Sequence, residues 1–91
     1  GARIRLVLHN TYWQLRAPTD PAVLRERTPP TVAPAKPGRC VPGAGCGTIS
    51  AAFVAARPGR AQLRASRTTC GEVLRCTGGH GRFRVEVRVT A

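Results

Sequence analysis

Four cysteines, two histidines and an excess of basic side chains are the residues of this chain with chemistry to offer. Cys40 and Cys46 enclose Val-Pro-Gly-Ala-Gly, and Cys70 and Cys76 enclose Gly-Glu-Val-Leu-Arg. Structural zinc sites space paired ligands by about two to four residues, so these intervals are wide for a zinc knuckle. His9 and His80 stand in no metal-ligand spacing with the cysteines. Disulfides are the better reading, because an even cysteine count in a small basic chain suits an oxidising, extracellular setting. Of the three possible connectivities, local pairing of Cys40 with Cys46 and of Cys70 with Cys76 is expected. Each such bridge contributes on the order of 2–3 kcal/mol in the chain-entropy description. No metal and no cofactor is expected.

Catalysis finds little to work with. Ser50, Ser66 and the threonines are candidate nucleophiles, but no Gly-x-Ser-x-Gly surrounds them. Asp20, Glu26, Glu72 and Glu86 are dispersed, whereas general acid–base chemistry needs a close pair tuned by its surroundings. The chain is not expected to be an enzyme.

The basic side chains suggest partners instead. Fifteen Lys+Arg face four Asp+Glu, for a formal charge of +11 over 91 residues. Such a balance attracts polyanions. Only Lys36 is a lysine, and an arginine bias of this kind is also what a GC-rich coding sequence produces. Arg64, Arg82, Arg84 and Arg88 take the outward phase of strands and are the candidate polyanion contacts, whether to a cell-wall glycan, a heparin-like chain or a nucleic acid. The competing reading of that face is a solvated surface that keeps a sheet edge soluble. Single-stranded nucleic acid would also call for exposed aromatic rings. Tyr12 is the one candidate, since Trp13, Phe53 and Phe83 fall on core positions.

These side chains must be carried by strands. Ile4, Leu6 and Leu8 alternate with Arg3, Arg5 and Val7, the period-2 pattern of a half-buried strand. The apolar parity then changes at Trp13 and Leu15, so His9–Tyr12 must turn or bulge. Residues 16–39 are Pro-rich and exclude a central strand; Val23–Arg27 is expected as an edge strand in preference to a helical turn capped at Asp20. Thr28–Gly38 is expected to be extended and irregular, and Cys40–Gly47 to be a Gly-rich loop. Alternation resumes over Ile49–Ala55, Ala61–Ala65 and Phe83–Val89. Arg57-Pro58-Gly59-Arg60 has the signature of a type II turn, and Arg67–Gly81 reads as one long loop. Short strands punctuated by turns predict an all-β fold, an immunoglobulin-like β-sandwich stapled by disulfides and occupying 1–91 as a single domain.

The stretch Gly43-Ala44-Gly45-Cys46-Gly47, then Phe53, Pro58-Gly59, Ala61, Leu63, Ala65 and Arg67, ending in Phe83–Val89, resembles the second half of chagasin-like bacterial immunoglobulin-like domains. Characterised members of that family inhibit papain-type cysteine peptidases with three adjacent loops. Asn10-Thr11-Tyr12-Trp13 is similar to a shortened first loop, lacking its Pro and Gly. Pro42–Gly47 is similar to the Gly-rich second loop. In the third, Arg67 is followed by Thr68-Thr69-Cys70 where the family has Pro-Trp. The resemblance implies a further strand ahead of Arg3 and a protein partner, in its concrete form a papain-like peptidase. It also implies loops at 9–12, 41–47 and 67–81 gathered at one end. The candidate partner contacts are His9, Asn10, Thr11, Tyr12, Gly43, Gly45, Gly47, Arg67, Thr68, Thr69, Glu72 and Arg75. The leading expectation is therefore a secreted, non-catalytic, monomeric protein-binding module. A basic polyanion-binding module and a spacer or sensor domain of a larger envelope protein are the competing ones. No run of about 18 apolar residues predicts a membrane span.

Overall fold

Apolar alternation and proline placement decide where the chain can pair. In the computed structural model, which describes residues 1–35, 44–71 and 74–90, the alternating segments become strands β1 (Arg3–His9), β4 (Gly47–Ala55), β5 (Gly59–Ser66) and β8 (Arg82–Val89). Two-residue β2 (Gln14–Leu15), the long β3 (Leu24–Pro34), and short β6 (Thr69–Gly71) and β7 (Leu74–Arg75) complete the set, with a 3-10 turn at Gly78–Gly81. The fold is all-β. One antiparallel sheet has the order β1-β4-β3, a second the order β2-β5-β8, and β6 pairs with β7 in a small third sheet.

Both three-stranded sheets feed one core. Leu6 and Leu8 of β1 pair with Ala51 and Ile49 of β4, and these inward residues pack with Phe53, Leu24, Ala61, Leu63 and Ala65. Trp13 and Val23 close the cluster. Phe53, Leu24 and Leu63 are its most completely buried large side chains, and complete burial of such a group is worth roughly 1.5–3 kcal/mol each.

Within the Pro-rich zone, Leu24–Pro34 forms one continuous edge strand rather than a strand that gives way to irregular chain at Thr28; the end of the expected irregular stretch, from 36, lies outside the described residues. β3 lies outside β4, so Pro29, Pro30 and Pro34 need supply no N–H to a further neighbour. Its register shifts between Glu26 and Thr28 and again between Thr28 and Thr31. The capped turn at Asp20 forms as well: Val23 and Leu24 donate their N–H groups to the Asp20 carbonyl, and Ala22 N–H to its carboxylate. Turn and strand are thus consecutive.

Three further expectations need correction. Arg67–Gly81 is not simply a loop, because it folds β6 against β7 and then makes the 3-10 turn. At Arg57–Gly59 the chain bends, with Gly59 at φ 147°, wider than a type II turn; the bend carries it from one sheet to the other. Phe83 and Val85 have core parity but Phe83 is only half-buried and Val85 is exposed, since β8 is a sheet edge. Among the described residues, no helix is long and apolar enough to cross a membrane.

Candidate functional site

The parity change after β1 is accomplished by Asn10, which takes a left-handed φ of 99°. Asparagine tolerates this conformation because its short amide bonds locally. Here the Asn10 side-chain oxygen accepts from Tyr12 N–H at 2.9 Å, while its amide nitrogen donates to the Ala44 carbonyl at 3.1 Å. The backbone joins the same two segments: Asn10 N–H donates to Gly47 O at 2.8 Å and Thr11 N–H to Gly45 O at 2.7 Å. Gly45, at φ 72°, faces the Tyr12 ring so closely that a Cβ would lie 2.4 Å from a ring carbon. Tyr12 is accordingly half-buried, not the exposed tip that its alternation with Trp13 suggested.

Trp13 joins the third segment. Its indole N–H donates to the His9 carbonyl at 3.0 Å, and the Arg67 guanidinium lies 4.3 Å from its ring centroid. Arg67 Nε donates in turn to the His80 carbonyl, and Arg67 N–H to Gly81 O. The Cys70–Cys76 disulfide bridges this segment, and Cys76 N–H donates to Thr68 O. Gly81 fits there because a Cβ would come within 2.5 Å of the Arg67 carbonyl. Cys46 is also disulfide-bonded. The Cys40–Cys46 pairing lies outside the described residues, as do Gly43 and Glu72.

The segments around 9–13, 44–47 and 67–81 are therefore tied together through backbone and side-chain contacts. Tyr12, Arg67, Thr68 and Thr69 border one depression of about 290 Å³, with Gln14 and Ser66. Arg75 does not border it but lines, with Arg82, an adjoining depression of about 420 Å³ that shares Ser66, Arg67 and Thr68 with the first. His9 enters through its carbonyl rather than its imidazole. The sequence did not point to Gln14 or Ser66, nor to the Trp13–Arg67 stacking, which joins positions far apart in the chain.

The basic candidates occupy the outward phase of the second sheet. Arg64 stands directly opposite Arg84, and Arg88 directly opposite Arg60. Sequence reasoning missed Arg60, although it shares the parity of Arg64. Its contact with Glu86, at 3.9 Å between exposed side chains, contributes little against solvent. Among the described residues no group of three His, Cys, Asp or Glu side chains is placed to hold a metal ion.

Comparison with family models, with curated proteins and with solved structures returns no match.

Proposed function

We propose that this chain is a secreted, non-catalytic recognition module of immunoglobulin-like sandwich type that binds a protein partner through the end carrying 9–12, 44–47 and 67–81. The observation that carries the reading is the cross-tying of these segments, with Asn10 and Thr11 bonded to Gly47 and Gly45, and Arg67 stacked on Trp13. A surface ordered before binding loses less conformational freedom when a partner arrives. The resemblance of Asn10–Trp13 and Gly43–Gly47 to chagasin-like loops gives the reading its concrete form, inhibition of a papain-type cysteine peptidase. Titration of papain with the protein at micromolar concentration tests it. Inhibition that Tyr12→Ala or Thr68→Asp weakens at least tenfold supports it, and full peptidase activity at saturating protein retires the peptidase.

A second reading has its own observation. Arg64 faces Arg84 and Arg60 faces Arg88 across the ladder, and like charges directly opposite one another destabilise a sheet. A bound polyanion relieves that repulsion, so the outward face is also proposed as a polyanion-binding surface. Retention on heparin with steep salt dependence is the expected outcome; elution near physiological salt speaks against it.

A further inference from the structure

We propose that the two depressions that share Arg82 form one track for sulfate or phosphate groups carried on a base-free polymer. The inference rests on the polyanion reading and gives it a location. One depression lies between the end of β5 and the β6–β7 hairpin, with Arg67, Arg75 and Arg82 around the hydroxyls of Ser66 and Thr68. The other, about 440 Å³, is lined by Arg64, Arg82 and Arg84. Among the described residues no carboxylate borders either one.

Several of these groups are already positioned. Arg67 is fixed through Nε to the His80 carbonyl and by its stacking on Trp13, which leaves its terminal N–H groups for a ligand. Ser66 is the cross-strand partner of Arg82, and Arg16 donates to its hydroxyl at 3.4 Å. Arg75 immediately precedes Cys76, whose disulfide to Cys70 and hydrogen bond to Thr68 anchor the backbone there. Planar guanidinium groups match oxyanions in bidentate geometry.

Sharing of Arg82 favours a chain over a single ion. A ligand filling both depressions places successive anionic groups on either side of that side chain, and Arg82 and Arg84 stand roughly 7 Å apart along the strand. The aromatic content argues for a polymer without bases. Base stacking contributes much of single-strand affinity, yet Phe83, the one aromatic residue lining the track, is half-buried against the core.

The test is titration of the intact protein with a heparin-derived octasaccharide, inorganic polyphosphate and oligo-dT across a salt series. Wild type is expected to bind both base-free polymers more tightly than oligo-dT, and the tighter of the two identifies the anionic group as sulfate or phosphate. Arg75→Gln with Arg82→Gln is expected to weaken that binding at least about tenfold and to flatten the log K against log salt slope by about 1.4, at roughly 0.7 per contact. Arg3→Gln with Arg5→Gln removes equal charge from exposed positions of β1 and is expected to change affinity less than about twofold. All four positions are exposed, so circular dichroism should report an unchanged fold. Equal losses from the two double variants overturn the track while leaving the general polyanion reading. Failure of wild type to bind any probe at low salt overturns both. Tightest binding to oligo-dT overturns the base-free polymer.

Discussion

β5 and β8 are hydrogen-bonded neighbours that share the same apolar alternation, and they experience different surroundings. In β5, Ala61, Leu63 and Ala65 are 2%, 2% and 4% exposed, whereas Val85 of β8 is 40% exposed at an equivalent inward position. β5 is flanked on both sides. β8 pairs along one edge, and β2 continues beside β5 as Arg16 N–H donates to Arg64 O and Thr19 N–H to Gln62 O. Inward parity is thus necessary for burial but insufficient for it; a strand also needs lateral neighbours to exclude water. The same contrast separates β4, which is central, from β3, whose side chains beyond Leu24 are all exposed.

The sharpest way to break this comparison is to truncate both inward positions. Leu63→Ala should cost about 2–5 kcal/mol in urea unfolding, because a cavity is left in a closed core. Val85→Ala should cost about 1 kcal/mol or less, as much of its side chain already meets water. Equal costs would mean that β8 is covered in solution. The next largest effect concerns the hairpin between the two strands. Replacing Cys70 and Cys76 together by serine opens a bridge of sequence separation 6 and should cost about 2 kcal/mol, read from the same denaturation curves. Wild type analysed by mass without reduction should run about 2 Da lighter for each bridge, since a disulfide lacks the two hydrogens of its thiols.

Smaller again is Trp13→Phe, which removes the indole donor to His9 and weakens the stacking with Arg67. A loss of about 1–2 kcal/mol is expected, with greater protease sensitivity around 67–81. A loss confined to global stability, with that segment equally protected, would show that β6 and β7 hold it alone. The smallest effect should appear on the outward face. Arg84→Glu converts the repulsive pair with Arg64 into an attractive one and should gain about 0.2–1 kcal/mol at low salt, shrinking as salt rises.

Strand positions were largely legible because they follow from a period of two. Leu6 and Leu8, Ala51 and Phe53, and Ala61 and Leu63 each declared a face, and the parity break at Trp13 declared the turn at Asn10. The loop end was legible in part, through its glycines, Asn10 and paired cysteines. What escaped were relations between distant residues. Nothing local marks Arg67 as the partner of Trp13, or Gly45 as the floor beneath Tyr12. The β6–β7 hairpin also escaped, because its strands are too short to show alternation.

By itself, the sequence determined the all-β class, the inward set of residues, the exclusion of a central strand by Pro29, Pro30 and Pro34, and a charge of +11 with almost no lysine. These are local or additive properties, set by backbone preference and side-chain hydropathy. Tertiary structure alone decided which inward residues escape water, that Arg64 meets Arg84, and that Arg82 borders two basic depressions at once. Those outcomes depend on strand order and register, which arise from contacts between segments far apart in the chain and leave no periodic trace in either segment.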